Sequence, residues 1–147
     1  MTIINKKAKR DYEIINTFEA GIKLTGAEVK SVKTGRMTLA GSHVRVVGNE
    51  LFLVNAEIFP YPFARNEGYD SKRTRKILLH KKEIVTLINK LKGAKLTVIP
   101  LECYNTHGWI KLKIALVRGR REFEKREKLK IRDIDRNMDR VMKERGS

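Results

Sequence analysis

The last thirty residues, Arg118 to Ser147, constrain this chain most, because they carry twelve Lys or Arg and seven Asp or Glu around a thin line of apolar positions. Such a segment has too little apolar surface to offset the entropy of ordering it, so it cannot supply a layer of a folded core. The fold must come from residues 1–117, with 118–147 as a basic C-terminal tail. The tail still has a pattern. Ile131, Ile134, Met138, Val141 and Met142 fall on one face of an α-helix, at steps of three or four. Glu122 with Arg126, Glu124 with Lys128 and Asp139 with Lys143 are i,i+4 pairs in the favourable order, each worth about 0.2–0.5 kcal/mol. The tail reads as a latent helix awaiting a surface, and a merely solubilising tail is the alternative.

The body is basic as well. Of the chain's 33 basic and 17 acidic residues, 21 and 10 remain once the tail is set aside, so the body carries +11 of the net +16. Positive charge spread through a folded domain suits a binder of phosphate backbones. An anionic membrane surface is the rival, but it calls for a basic amphipathic helix with aromatic anchors, and the tail's apolar seam has neither Trp nor Phe. Cys103 is the only cysteine, which excludes an internal disulfide and a Cys-based zinc cluster. The charged start, MTIINKKAKR, does not resemble a signal peptide, and no run of eighteen apolar residues occurs. A soluble cytoplasmic protein is expected.

Along the body, Tyr12, Ile14, Asn16 and Phe18 alternate with Glu13, Ile15 and Thr17, predicting a strand over Asp11 to Phe18. Thr25-Gly26-Ala27-Glu28 has the form of a capping box opening a short helix that Gly35 can close. SHVRVV, a Gly48-Asn49 turn and LFLVNAEI predict a β-hairpin. After Pro60 and Pro62, a polar and basic loop from Arg65 to Lys76 leads into a strand, RKILL. Ile84, Leu87, Ile88 and Leu91 predict a helix over His80 to Lys92, with Gly93 as its stop. Two further strands follow, Ala94 to Leu101 and Trp109 to Val117. Five or six short strands with short helices, one of them inserted before the last strand pair, imply a mainly β fold. The best match is a small Greek-key barrel of the oligonucleotide-binding type, because closure protects short antiparallel edges.

Motifs for catalysis are absent. His43, His80 and His107 lie far apart in no metal-ligand spacing, and there is no GxSxG, P-loop or GxGxxG. Cys103 and His107 do not meet reliably across a strand end, so Cys103 reads as a half-buried structural thiol. The acids Glu28, Asp70 and Glu102 show no pairing on one element. No cofactor or metal is expected, and binding is favoured over catalysis. Three basic clusters carry that reading: Lys6, Lys7, Lys9 and Arg10; Lys72, Arg73, Arg75 and Lys76; and Arg118, Arg120 and Arg121 running on to Lys125 and Arg126. Clusters at loops and strand ends can converge on one face of a barrel, with Tyr12, Phe63, Tyr69, Tyr104 and Trp109 as candidate platforms for unpaired bases. An RNA-processing enzyme built around Glu28, Asp70 and His107, and a plain ribosomal structural protein, are the other readings.

The segments NKKAKRDYEI (Asn5 to Ile14), TFEAGIKLTGAEVKS (Thr17 to Ser31), NAEIFPY (Asn55 to Tyr61), RTRKILL (Arg73 to Leu79) and GRREFEKRE (Gly119 to Glu127) resemble the SsrA-binding protein family, also called small protein B. The resemblance runs almost end to end. It implies an oligonucleotide-binding barrel that clasps the transfer-RNA-like part of transfer-messenger RNA as a monomer. It also implies a tail that becomes helical in the vacant messenger channel of a stalled ribosome, near the decoding centre of the small subunit, so that translation resumes on the RNA and the ribosome is freed. By motif, Asn5, Lys6, Lys7, Lys9, Arg10, Glu28, Lys30, Arg73, Arg75, Lys76, Arg118 and Arg120 become candidate RNA contacts. Glu124, Lys125, Arg126, Lys128, Lys130, Ile131, Arg132, Ile134, Met138, Val141 and Met142 become candidate ribosome contacts. Two positions depart from the family's pattern. Its usual Asp-Lys-Arg is Glu124-Lys125-Arg126 here, and its usual Asp-Pro is Asp70-Ser71, which removes a backbone restraint at the loop entry.

Overall fold

Strands that alternate apolar and polar residues bury one face each, and here six of them do so by closing on themselves. The computed structural model describes residues 2–92 and 95–119. Its elements in chain order are β1 (Thr2–Ile4), α1 (Lys6–Asp11), β2 (Glu13–Ile22), α2 (Gly26–Lys33), β3 (Met37–Thr38), β4 (His43–Val47), β5 (Glu50–Val54), β6 (Glu57–Ile58), β7 (Arg75–Leu78), α3 (Lys81–Leu91), β8 (Leu96–Thr106) and β9 (Trp109–Arg118). The strand order β8-β4-β5-β7-β2-β9 returns to β8 through the β8–β9 pairing, making a closed six-stranded barrel with β1 added on β8. A mainly β barrel with a helix before its last strand pair is what the alternation predicts.

The barrel interior is filled by every second residue of its walls. Phe18, Ala20 and Ile22 of β2, Leu51 and Leu53 of β5, and Leu112, Ile114 and Leu116 of β9 belong to one buried cluster, which Val32 of α2 and Leu87 of α3 join. Ile114 to Val117 are buried without interruption, because α1 covers the outer face of β8 and β9 there. Ala8, Ile99, Leu101, Ala115 and Val117 form that second, smaller cluster.

Local chemistry fixes the connections. The α2 capping box forms as predicted: the Glu28 backbone N–H donates to Thr25 Oγ1 at 3.2 Å, and Thr25 N–H donates to Glu28 Oε1 at 3.0 Å. At the other end Gly35, at φ 78°, lets its N–H reach Val32 O and that of Arg36 reach Ser31 O, each at 2.9 Å, a Schellman closure. Gly48 has φ 62° in the two-residue turn between Val47 and Glu50, as a type II′ hairpin requires of its first central residue. His107 and Gly108 both have positive φ, 50° and 83°, between the paired Thr106 and Trp109, a type I′ turn. Pro100 lies in the middle of β8, where a register shift between Pro100 and Glu102 absorbs its missing N–H.

Several expectations need correction. Asp11 ends a helix rather than starting a strand, and the basic start folds as α1. β2 begins at Glu13 and runs on to Ile22, beyond Phe18. LFLVNAEI is not one strand: Asn55 takes φ 67° and divides β5 from β6, which pairs with β3 instead. β8 continues past Leu101 to Thr106, since the bulge restores its pairing with β9. Cys103 is wholly buried, not half-buried, and burial pushes its thiol up to about 12. Gly93, the expected stop of α3, lies outside the described residues.

Truncating the barrel centre should be costly. Leu112→Ala should lower the unfolding free energy by about 2–5 kcal/mol in urea denaturation, while Val85→Ala, on the exposed face of α3, should change it by about 0.5 kcal/mol or less.

Candidate nucleic-acid interface

Asn5 builds the first basic surface without facing it. Its Oδ1 accepts from Ala8 N at 3.3 Å as the N-cap of α1, while its Nδ2 donates to Pro100 O at 2.9 Å and its backbone N–H to Leu101 O at 2.8 Å. These bonds pin the helix start to β8 and leave Asn5 buried, so its side chain is not offered to RNA in this structure. Ala8 turns inward, and Lys6, Lys7, Lys9 and Arg10 all remain exposed. Arg118, paired in register with Glu13 at the end of β9, stands beside the same helix, with Arg118 Nη1 3.8 Å from Glu13 Oε2. Lys9 Nζ lies 3.8 Å from Glu102 Oε2, across the face of β8.

Glu28 and Arg75 form a different kind of site. Arg75 is fully buried at the start of β7, and Glu28 on α2 is 1% exposed. Arg75 Nε and Nη2 donate to Glu28 Oε2 at 2.8 and 2.6 Å, Nη1 to Ala56 O and Arg73 O at 2.9 Å, and Nη2 also to Ser71 O at 3.0 Å. Arg73, partly exposed, adds a second guanidinium: its Nη2 donates to Glu28 Oε1 and its Nε to Oε2 at 3.1 Å. The Tyr69 hydroxyl, whose proton can go to Ile58 O at 2.8 Å or Glu28 Oε2 at 3.1 Å, closes the group. Glu28 therefore has no free oxygen with which to read a base or act as a general base. Glu28 and Arg75 were expected to touch RNA; here both lie beneath the surface and position Arg73, which is the member of the group that reaches solvent.

Lys30 projects from α2 with its Nζ 5.7 Å from the Tyr61 ring centroid, a cation–π approach. Lys76 pairs with Glu50 at 3.3 Å on the barrel wall. Among the proposed platforms, Phe63 and Trp109 are 88% and 73% exposed, and the Phe63 ring meets that of Tyr61 edge-on with centroids 5.5 Å apart. Tyr69 is held by the clamp, and Tyr104 donates to the Glu19 carboxylate; desolvation and then Glu19 push its phenol up to about 12. Tyr12 packs against the small cluster beneath α1. Asp70 caps its own loop by accepting from Lys72 N at 3.0 Å, and His107 sits in the β8–β9 turn, so Glu28, Asp70 and His107 do not assemble. Arg120 and the eleven tail positions from Glu124 to Met142 lie outside the described residues.

Among the described residues the candidate cations form two groups rather than one. α1 and Arg118 sit at the Glu13 end of β2, while Lys30, Arg73 and Lys76 gather near its Ile22 end, where Lys23 N bonds Lys76 O. Ten residues of strand separate them by roughly 30 Å along its axis. The sequence signal that could have revealed the first surface is Asn5 followed by Ala8, an N-cap residue three positions before its backbone donor. No comparable local signal announces the Tyr69–Glu28–Arg75 group, whose members lie 41 and 47 residues from Glu28.

The clamp makes stability depend on acid. Desolvation raises the Glu28 pKa, but the bonds from Arg73, Thr25 and Arg75 outweigh it and lower it from 4.5 to about 2. A depressed carboxylate stabilises the fold fully above its unfolded pKa and loses that contribution as pH falls through its folded one, here between about 4.5 and 2. Glu28→Gln should therefore destabilise by about 3 kcal/mol at pH 7, leaving Arg75 buried without its anion, and should flatten the acid limb of the stability curve measured by chemical denaturation.

Known proteins agree with this architecture. The family described as "SmpB protein" matches residues 2–144. SsrA-binding proteins of Streptococcus mutans serotype c and Pseudothermotoga lettingae are each 46% identical over 140 residues, covering 95% of this chain and 90% and 94% of the relatives. That of Chlorobium chlorochromatii is 45% identical over 143 residues, covering 97% of this chain and 91% of its own. A solved structure described as "tmRNA-SmpB: a journey to the center of the bacterial ribosome" superposes with a TM-score of 0.67 at 41% identity, covering 80% of this chain and 83% of that one. With the family matched over nearly its whole length and the barrel shared, this chain belongs to the SmpB protein family.

Proposed function

We propose that this chain is a non-catalytic RNA-binding protein of trans-translation. It binds the transfer-RNA-like part of transfer-messenger RNA through its barrel, delivers that RNA to stalled ribosomes, and places residues 118–147 in the vacant messenger channel. The observation that carries the reading is α1, a helix pinned by Asn5 so that Lys6, Lys7, Lys9 and Arg10 all face solvent, inside a family whose relatives are named for binding SsrA. The separation of the two basic regions supports it, since an adaptor between an RNA and a ribosome needs more than one phosphate-binding surface. Arg118 and Arg73 join the RNA contacts, and the tail positions Glu124 to Met142 the ribosomal ones. A thirty-residue helix would reach about 45 Å along such a channel. The protein acts as a cytoplasmic monomer with no cofactor, and among the described residues no helix is long and apolar enough to cross a membrane.

A salt titration tests the binding. Each phosphate contact releases condensed cations, so affinity for a transfer-RNA-like RNA should fall steeply with salt, and Lys7→Ala with Arg10→Ala should make the logarithmic slope shallower by about 1–2. A flat salt response, or equal affinity for unstructured RNA, would overturn the reading. Deleting the residues after Arg126 should leave RNA affinity largely intact while abolishing ribosome rescue in a reconstituted translation assay. Labelled structured RNA incubated with the protein and a divalent metal should stay whole; turnover would establish an enzyme instead.

A further inference from the structure

Phe63 is 88% exposed, the most open large apolar side chain among the described residues, yet the loop that carries it is firmly built. It ends the run Phe59-Pro60-Tyr61-Pro62-Phe63, three aromatic residues alternating with two prolines. Each proline fixes its own φ and restricts the residue before it, which leaves the backbone little freedom. Tyr61 to Ala64 closes a β-turn, the Ala64 N–H donating to Tyr61 O at 3.1 Å, with Pro62 at the position proline favours. Asn66 Nδ2 braces that turn by donating to Tyr61 O at 2.9 Å and to Ala64 O at 3.1 Å. A strap ties the run to the end of α2: the Phe59 N–H donates to Arg36 O at 3.0 Å, and Arg36 Nη2 to Pro60 O at 3.3 Å. A phenyl group held in water gains nothing there by itself, whereas one fixed before contact loses little entropy when a partner arrives.

The surroundings of the ring narrow that partner. Lys30 Nζ stands 5.7 Å from the Tyr61 ring centroid, Lys33 is exposed one helical turn further along α2, and Arg36 and Arg65 are exposed as well. Glu67 is exposed on the same loop and leaves the set net positive. Between α2 and the chain from Phe59 to Tyr69 lies a cavity of about 310 Å³ lined in part by Ser31, whose Oγ is sealed from solvent, so the aromatic surface within reach is on the loop itself. An apolar partner would have to strip water from these cations to cover the ring. An unpaired base instead offers a flat face to the ring and a phosphate on either side to the cations. The position favours one source of such a base: Lys30 and this turn lie near the Ile22 end of β2, roughly 30 Å from α1, where the transfer-RNA-like RNA is assigned. A chain that carries one RNA at α1 presents its opposite end to whatever it enters. We propose that Phe63 is a stacking platform for one unpaired base of the small subunit's ribosomal RNA, with Lys30, Arg36 and Arg65 on the flanking phosphates. The inference rests on the RNA-binding reading above and adds to it a ribosome contact on the folded barrel, separate from the tail.

The test uses the full chain with Phe63→Ala, Phe63→Leu and Phe63→Trp, and two probes, purified small ribosomal subunits and the isolated transfer-RNA-like RNA. All three variants should keep the thermal midpoint, because the ring is open to solvent. Phe63→Ala and Phe63→Leu should each weaken subunit binding about five- to hundredfold, Phe63→Trp should retain it, and none should change affinity for the transfer-RNA-like RNA. Acylation of 2′-hydroxyls along the subunit RNA should fall at an unpaired nucleotide with the unaltered chain and recover there with Phe63→Ala. If Phe63→Leu binds subunits as the unaltered chain does, the contact is apolar packing and the stacking platform is overturned. If affinity falls but no nucleotide changes its reactivity, the partner is a ribosomal protein and the proposal is overturned. If the variants lose the transfer-RNA-like RNA instead, the ribosomal source is overturned. If every variant binds both probes as the unaltered chain does, the platform is overturned while the RNA reading stands. If the unaltered chain itself does not bind small subunits, the ribosomal part of that reading falls and the platform with it.

Discussion

The buried carboxylate of Glu28 between two guanidiniums is the interaction on which the arrangement of this protein's surface depends. A charge without water must be met by opposite charge and a full set of hydrogen bonds. Here Arg75 supplies both, and its remaining donors fasten Ala56, Ser71 and Arg73 by their carbonyls. One ion pair thus joins α2 to β7 and holds the chain between them. Lysine in place of Arg75 could not repeat this, since a single ammonium lacks the planar fork of donors.

The clamp holds a surface that carries cations. Arg73 emerges from it toward solvent, Lys30 and Tyr61 stand nearby, and the cavity lined by Ser31 opens between α2 and the chain from Phe59 to Tyr69. At the other end of β2, Asn5 does by neutral hydrogen bonds what Glu28 does by charge, fixing α1 so that its cations face outward. In both places buried polar residues of the family motifs lie one layer below exposed cations. Rigidity beneath the contacts reduces the entropy lost on binding, which favours affinity without adding contacts.

Much of the fold was legible in the chain because local rules governed it. The Thr25–Glu28 box, the Gly48 turn and the alternation of β9 each depend on residues a few positions apart, and each formed as read. The run Ile114 to Val117 was also a signal: loss of alternation marks a strand covered on both faces, and the cover is α1. The expected single strand through Asn55 failed because one residue at positive φ ends a ladder that propensity would continue.

Sequence by itself determined that the chain is basic and mainly β, and that its motifs resemble one family; charge, periodicity and local capping are properties of short stretches. Only the tertiary structure decided which motif residues reach solvent. Glu28 and Arg75 are 47 residues apart, and nothing local requires them to meet, yet their pairing buries both and leaves Arg73 as the exposed member. Burial is a property of the packed whole, so the division between residues that reach solvent and residues that hold them in place appears only when the barrel closes.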